Sequence, residues 1–295
     1  GARGRGRDQL GTLGSGNHFL EVQEVTEVLD EIAAAALGLE MGTVTVMIHC
    51  GSRGLGHQVC TDYVRDVSHK LVKWGITLPD RQLACAPLRS PEGQAYLSAM
   101  RAAANFAWAN RQCIADGVRR AFATVLKRGP EALRLQLVYD VAHNIAKLER
   151  HKISSGMVRC LVHRKGATRA FPAGHPDVPA AYRAIGQPVL VPGDMGRYSF
   201  VLIGSQGSME HAFGTTCHGA GRQMSRTQAV RETKGRDLVA ELRDQGVVVR
   251  YEGRDTLREE TSEAYKDVAE VVKVVEGADL AKPVAKLTPF LVVKG

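Results

Sequence analysis

The chain has 295 residues, 44% of them hydrophobic, so it can bury a sizeable core and lies at the upper end of what one domain holds. It has no run of about 18 uninterrupted apolar residues, which argues against a membrane span, and its arginine-bearing N-terminus lacks the apolar stretch of a secretory signal. Thirty-nine Lys and Arg against 31 Asp and Glu give a net charge of +8, which suits a polyanionic partner such as nucleic acid or a nucleotide. These features predict a cytoplasmic protein with an anionic partner.

The apolar periodicity predicts both helices and strands. In chain order, the helical patterns fall at about 57–75, 92–127, 227–245 and 256–275. Runs rich in Val, Ile and Leu predict strands at 43–50, 133–142, 156–164, 188–193, 198–204 and 289–295. Long helices mixed with irregularly spaced strands predict an α+β (mixed α/β) fold, with central sheets flanked by long helices. No linker divides the chain, so one domain over residues 1–295 is expected.

Six cysteines are spread along the chain without a Cys-x-x-Cys pair. This spacing argues against a disulfide framework and against a structural zinc site, so the thiols are predicted to be reduced. Four of them, Cys60, Cys85, Cys113 and Cys160, are expected to be small buried apolar residues.

Four of the ten histidines, His18, His49, His143 and His218, have similar surroundings, next to an apolar or β-branched segment and flanked by glycine or asparagine. The ends of strands let side chains converge on a cleft while a rigid scaffold holds them. Neutral imidazole is the commonest transition-metal ligand, and three or four rings can share one site. The alternative is a hydrogen-bonded structural histidine, and it is assigned to the other six: His57, His69, His151, His163, His175 and His211. Of these, His163 is ambiguous because it lies next to Arg164 and Lys165.

Basic side chains cluster on the same stretches as these histidines. Arg53 lies in the glycine-rich turn "GSRGLG", Lys165 and Arg169 lie in "HRKGATR", and Arg222 ends "HGAGR". Glycine lets backbone N–H groups approach phosphate oxygens, and arginine can bind such oxygens through two donors. The pattern favours phosphate binding over its alternative, solvated surface charge.

Seven segments resemble, in order, the motifs of the RtcB family of RNA-splicing ligases. They are "GTLGSGNHFLEVQ" (11–23), "MIHCGSRGLGHQ" (47–58), "YDVAHNIAKLE" (139–149), "HRKGATRAFP" (163–172), "PGDMG" (192–196), "HGAGR" (218–222) and "VVKG" (292–295). An ordered match along the whole chain is far more specific than a lone glycine loop. The resemblance implies a GTP- and Mn²⁺-dependent enzyme that joins RNA 3′-phosphate or 2′,3′-cyclic phosphate ends to 5′-hydroxyl ends, in tRNA splicing or RNA repair.

The resemblance also implies residue roles. His218 would be the nucleophile that forms a covalent histidine–GMP, and His18, His49 and His143 would be ligands in a site that holds two Mn²⁺ ions in the family. The positions similar to guanylate-binding residues are Asn17, His18, Phe19, Leu20, Glu21, His143, Asn144, Pro192, Gly193, Asp194, Met195, Ser199, His218, Gly219, Ala220, Gly221 and Lys294. Arg53, Lys165, Arg169 and Arg222 would contact RNA phosphates.

The sequence departs from the family pattern at one metal-binding motif. The family has an aspartate and a cysteine in a glycine-rich segment near its N-terminus, and these 295 residues contain no such motif. We therefore expect an N-terminally truncated RtcB-like domain that is weak or inactive as a ligase on its own. Cys50 and Cys217 are poor substitutes, because neighbours on a strand point to opposite faces.

Two other functions fit the same residues. One is a metal-dependent phosphohydrolase in which the histidines activate water. The other is a non-catalytic RNA-binding remnant that keeps a basic face. The sequence leaves open the natural RNA, whether tRNA halves or broken ends, the oligomeric state and the need for an activating protein.

Overall fold

The computed structural model describes residues 1–80 and 83–295, and it confirms the mixed α/β class. The helices are α1 (Ala2–Gly6), α2 (Glu31–Leu37), α3 (Arg53–Ser68), α4 (Pro91–Leu126), α5 (Pro130–Leu133), α6 (Gln206–Ala212), α7 (Arg226–Glu232), α8 (Leu238–Asp244), α9 (Arg254–Glu259) and α10 (Val268–Gly277). The strands are β1 (Phe19–Val28), β2 (Val44–His49), β3 (Asn144–Ile153), β4 (Gly156–Lys165), β5 (Ala167–Arg169), β6 (Pro188–Val191), β7 (Ser199–Gly204), β8 (Thr215–Cys217), β9 (Val248–Tyr251) and β10 (Ala281–Lys294). Within the described ranges, no helix combines the length and apolarity needed to cross a membrane.

The described chain divides into two compact units. The smaller unit comprises residues 1–14 and 48–135, and the larger comprises 15–47 and 136–295. A single domain over residues 1–295 stays a prediction.

The smaller unit is helical, and its longest element is α4. The helix begins where the Ser90 hydroxyl accepts from the Gly93 N–H at 3.0 Å, with Pro91 at the first helical position. Near its middle, fully buried Asn110 accepts from the N–H groups of Gly11 and Thr12 at 2.6 and 3.2 Å. Its amide group also donates to the Gly51 carbonyl at 3.2 Å, so this side chain joins two loops to the helix.

The larger unit is built on a sheet of order β2-β1-β10-β7-β6. Along one edge of β10 runs antiparallel β1, with Glu21 opposite Val292. The first half of β10 also pairs with antiparallel β7, and its last residues, Leu291 to Lys294, pair with parallel β9. The central strand is therefore bonded along its whole length, which holds its final residues rigidly.

Two smaller sheets complete this unit. The β3–β4 hairpin pairs ten residues in unbroken register, from Asn144 opposite Lys165 to Ile153 opposite Gly156. The short strands β5 and β8 are antiparallel, with Ala167 opposite Cys217. Because β5 follows β4 after a single glycine, the two small sheets share one end.

The strand predicted over 133–142 is wrong, because residues 135–142 form no helix or strand. Their apolar and aromatic groups are used otherwise: Val138 packs on the core and accepts from the Tyr182 hydroxyl at 2.7 Å, and the Tyr139 hydroxyl accepts from Gln187 at 2.9 Å. The helical stretches predicted at 227–245 and 256–275 each contain two helices. The stretch at 227–245 is interrupted at Gly235, whose φ is +85°, and Asp237 then caps α8.

The cysteines are free, as predicted, but three of the four expected to be buried are exposed. Cys60 on α3 and Cys113 on α4 face solvent, as does Cys85, and Cys160 is half-buried. The buried thiol is Cys50, which donates to the Leu13 carbonyl at 2.9 Å. Cysteine count alone does not reveal which helix face a residue occupies.

Candidate active site

Strand pairing brings the residues around His218 together. Since Ala167 lies opposite Cys217, the next residue along β8, His218, lies beside the preceding residue on the other strand, Gly166. Thr168 strengthens this pairing by donating its hydroxyl to the Cys217 carbonyl at 3.0 Å. A Cβ on Gly166, whose φ is +64°, would lie 3.3 Å from the His218 ring, so the absence of a side chain leaves room for the imidazole.

His143 reaches the same place through the hairpin. It precedes β3, whose first residue pairs with the last residue of β4, immediately before Gly166. The Asn144 amide oxygen accepts from the Gly166 N–H at 3.0 Å and so joins the start of β3 to the residue that follows β4. The rings of His143 and His218 lie with their centroids 4.6 Å apart and tilted by 35°.

Burial dominates the titration of both rings. Together with a smaller effect from the charge of neighbouring His218, it lowers the pKa of His143 to about 4. Burial also lowers the pKa of His218, while a hydrogen bond with the Gly166 backbone opposes the shift. The positive charge of exposed Lys165 lowers both pKa values, and Lys165 directly precedes Gly166, which lies against the His218 ring.

The glycine-rich loop after His218 packs on the turn that begins at Pro192. The Ala220 N–H donates to the Pro192 carbonyl at 3.0 Å, and a Cβ on Gly219 would lie 3.2 Å from that oxygen. Gly221 has a φ of +74°, a conformation that favours glycine. This contact joins two of the segments whose residues resemble guanylate-binding positions.

A buried polar row links that turn to β1. The Gly193 N–H donates to the Ser199 hydroxyl at 3.3 Å. The side-chain amide of Gln23 donates to the same hydroxyl at 3.2 Å and to a carboxyl oxygen of Glu21 at 2.8 Å. Glu21, Gln23 and Ser199 are almost fully buried. Gln23 was not among the predicted site residues, although as a side chain two positions from Glu21 it lies on the same face of the strand.

Glu21 and Lys294 form an unusual buried pair of titratable groups. Burial, with a smaller effect from the charge of Asp194, raises the pKa of Glu21 to about 8, against the hydrogen bond from Gln23 and the charge of Lys294. Burial lowers the pKa of Lys294 to about 8. Its ammonium donates to the Gly16 carbonyl at 2.8 Å, so the end of β10 holds the turn that precedes β1.

Asp194 is held by its own surroundings. Its carboxylate accepts from Arg197 at 2.6 Å, from the Gly196 N–H at 3.1 Å and from the Ser262 hydroxyl. Neighbouring Met195 is buried in an apolar cluster with Leu238, Leu242, Val247, Val249, Leu257 and Val292. The sequence predicted neither Arg197 nor Ser262 as part of this region.

The predicted residues around the start of β1 differ in exposure. Asn17 is exposed and His18 is half-buried in the turn that Lys294 holds. Phe19 is buried in an apolar cluster of the core, and Leu20, opposite Val293, is half-buried.

Two predicted residues belong to the smaller unit. His49 ends β2, and Arg53 begins α3 with a φ of +52° and donates to the Thr12 hydroxyl at 3.3 Å. Within residues 1–80 and 83–295, no group of three or more His, Cys, Asp or Glu side chains is arranged to hold a metal ion. The predicted ligation by His18, His49 and His143 therefore stays a prediction.

Two of the predicted phosphate-binding arginines make contacts within the chain. Arg169 donates to Gln187 at 3.0 Å and lies 4.6 Å above the Phe171 ring. Arg222 pairs with Glu260 at 3.1 Å and donates to the Glu259 carbonyl at 2.7 Å. Both guanidinium groups are thus fixed by the fold, whereas Lys165 is exposed beside the histidine pair.

The chain is similar to known proteins over its whole length. A family model described as tRNA-splicing ligase RtcB matches residues 1–295. The chain is 55% identical over 294 residues to a tRNA-splicing ligase RtcB of Thermococcus kodakarensis, and equally identical to one of Archaeoglobus fulgidus; it covers 61% of each. It is 50% identical over 296 residues to RNA-splicing ligase RtcB homolog 1 of Entamoeba dispar and covers 55% of that protein. The chain thus spans roughly three-fifths or less of the length of these relatives, and it belongs to the tRNA-splicing ligase RtcB family.

Proposed function

We propose that the chain carries the nucleotidyl-transfer chemistry of an RNA ligase that joins 3′-phosphate or 2′,3′-cyclic phosphate ends to 5′-hydroxyl ends with GTP. The observation that carries the proposal is the position of His218, beside His143 and Lys165 and followed by a glycine-rich loop packed on Pro192. A ring on such a loop can take up a bulky phosphoryl group, and a nearby cation favours phosphate oxygens.

The proposed reaction has three transfers. A ring nitrogen of His218 attacks the α-phosphorus of GTP, an N–P bond forms, and the bond to the bridging oxygen breaks so that pyrophosphate leaves. An oxygen of the RNA 3′-phosphate then attacks the same phosphorus and displaces the histidine. Finally the 5′-hydroxyl attacks the activated 3′-phosphate, loses its proton to solvent and displaces GMP. Water first opens a cyclic phosphate end.

Manganese, with His18, His49 and His143 as its ligands, and a cytoplasmic location belong to the same proposal. The ion, when bound, would neutralise phosphate charge. Glu21, with Gln23 and Ser199 held beside it, would bind the guanine, because its carboxyl group can accept hydrogen bonds from the guanine N–H groups.

Labelling with α-³²P-GTP and Mn²⁺ tests this function. We expect an acid-labile, alkali-stable label that His218→Ala abolishes and that His211→Ala, at an exposed histidine of α6, retains. Phosphate release without a label would favour a phosphohydrolase. Salt-sensitive RNA binding with neither phosphate release nor a label would favour a non-catalytic RNA-binding protein. Either result would overturn the proposal.

A further inference from the structure

One face of the β3–β4 hairpin is largely exposed and carries only positive charge, although Ala146 on it is buried. On this face Arg150 lies opposite Arg159, and Lys165 lies opposite Asn144. The other residues of the face are Ala146, Leu148, Lys152, Met157, Leu161 and His163. It therefore has four formal positive charges, on Arg150, Lys152, Arg159 and Lys165, and no Asp or Glu, and these four side chains are exposed.

The Arg150 and Arg159 pair works against the stability of the hairpin. Like charges directly opposite each other on neighbouring strands repel and are destabilising. In the described part of the chain, no ion pair neutralises either arginine, Lys152 or Lys165. A bound polyanion would relieve this repulsion.

The charged face leads to the candidate active site. Lys165 is at its inner end, opposite Asn144 and directly before Gly166, which lies against the His218 ring. The Arg150–Arg159 pair lies six residues further along the strands, which is about 20 Å at the usual rise of a β-strand. Stacked nucleotides rise about 3.4 Å each, so about six nucleotides would connect the two positions.

We propose that this face binds the backbone of single-stranded RNA next to the end that is joined, with Arg150 and Arg159 contacting phosphates about six nucleotides from the reacting group. The identification of the strand as a substrate rests on the proposed function. A single strand is favoured because exposed Leu148, between the basic residues, offers apolar surface to an unpaired base, which a duplex would keep paired inside.

The test measures RNA binding without GTP or Mn²⁺. The probe is a fluorescent single-stranded RNA of about 12 nucleotides with a 3′-phosphate, compared with one of about three nucleotides, with anisotropy titrations over a range of salt. Arg150→Ala/Arg159→Ala removes two phosphate contacts, so the slope of log K against log salt should become less steep by about 1.4 for the longer RNA and stay unchanged for the shorter one. Lys234→Ala/Arg243→Ala, which removes the same charge from exposed positions outside the hairpin, should change neither slope.

Three results would overturn the inference: an unchanged slope for the longer RNA, an equal loss for both RNAs, or the same loss in the control variant. The double variant should also melt at a temperature no lower than the parent chain, since it removes repulsion. A lower melting temperature would show that the two arginines stabilise the folded chain, and it would contradict the inferred repulsion between them. Because the assay omits GTP, it measures RNA binding independently of His218 labelling. Failure of the labelling would leave the RNA-binding result valid, and failure of RNA binding would leave the labelling result valid.

Discussion

Arg164 donates to both carboxylate oxygens of Glu149, at 2.8 and 2.9 Å, and both side chains are almost fully buried. The same guanidinium donates to the carbonyls of Phe213 and Gly214, immediately before β8, at 2.9 and 3.3 Å. His151 adds a contact to Glu149 at 3.0 Å, in keeping with the structural role predicted for this histidine. The buried face of the hairpin thus anchors the start of β8, the strand that leads to His218.

Removing the charge of Glu149 should destabilise the chain strongly. Glu149→Gln leaves the buried guanidinium of Arg164 without its counter-charge, and breaking a buried pair in this way costs about 3–5 kcal/mol. Urea unfolding measures the loss. The matched control is Glu270→Gln, which breaks an ion pair with the same 2.8 Å distance to Lys273 but with both side chains about 70% exposed, and which should have little effect on stability. Equal losses in the two variants would contradict the assignment.

Gly166→Ala should impair His218 more than it impairs folding. The added methyl would lie 3.3 Å from the imidazole, and a non-glycine residue at a φ of +64° costs about 1–2 kcal/mol. Gly38→Ala is a fitting control, because Gly38 has a φ of +69° at the end of α2 and open space around it. The two variants should lose similar stability in urea, while only Gly166→Ala lowers the yield of guanylate label. A normal yield in that variant would argue against contact between the two residues.

Stability should depend on pH through Glu21. With its pKa raised to about 8 from 4.5, the folded chain keeps a proton on this group that the unfolded chain has lost between those values. The free energy of unfolding should therefore fall as the pH rises from 5 to 8, by at most about 1.4 kcal/mol per pH unit. Lys294, with its pKa lowered to about 8 from 10.5, adds an opposite slope only above pH 8.

Glu21→Gln isolates this effect, since the amide does not titrate. Urea unfolding across pH 5 to 8 should show a flatter profile for Glu21→Gln than for the parent chain. Glu24→Gln, at an exposed position of the same strand, should keep the parent profile. A decline with pH that persists in Glu21→Gln would show that another group causes it.

Asn110 should be a main contributor to the stability of the smaller unit. Asn110→Ala removes the acceptor of the Gly11 and Thr12 N–H groups and the donor to Gly51, and each buried group left unbonded costs about 1–3 kcal/mol. Asn105→Ala, at an exposed position on the same helix, should be neutral or slightly stabilising because alanine favours helices. Comparable unfolding midpoints for the two variants would refute this role.

The sequence predicted the fold class and the longest elements because these depend on local periodicity. The long helix at 92–127 and the strands around 156–164 and 198–204 were located well, since their apolar patterns are continuous. Strand β1 was missed as a strand, because Glu21 and Gln23 are polar residues at buried positions and disturb the alternation. The segment 133–142 looked like a strand but has no neighbouring strand with which to pair.

The candidate site was predicted through whole motifs rather than through individual contacts. The motif around His218 indicated a reactive ring, and the structure places His143 against it. The supporting contacts of Arg164, Gln23 and Arg197 were not predicted, because each depends on pairing between segments distant in sequence. Motif resemblance identifies residues that meet a ligand more readily than residues that hold them in place.

The position of β10 has a consequence for how the larger unit folds. Leu20 pairs with Val293, almost the full length of the chain away, and β7 and β9 also pair with the same strand. During synthesis on the ribosome, β1 therefore stays without its main partner until nearly all of these residues have emerged. Topologies dominated by such distant pairings fold slowly, so we expect the helical smaller unit to form first and the sheet to close as the late, rate-limiting event.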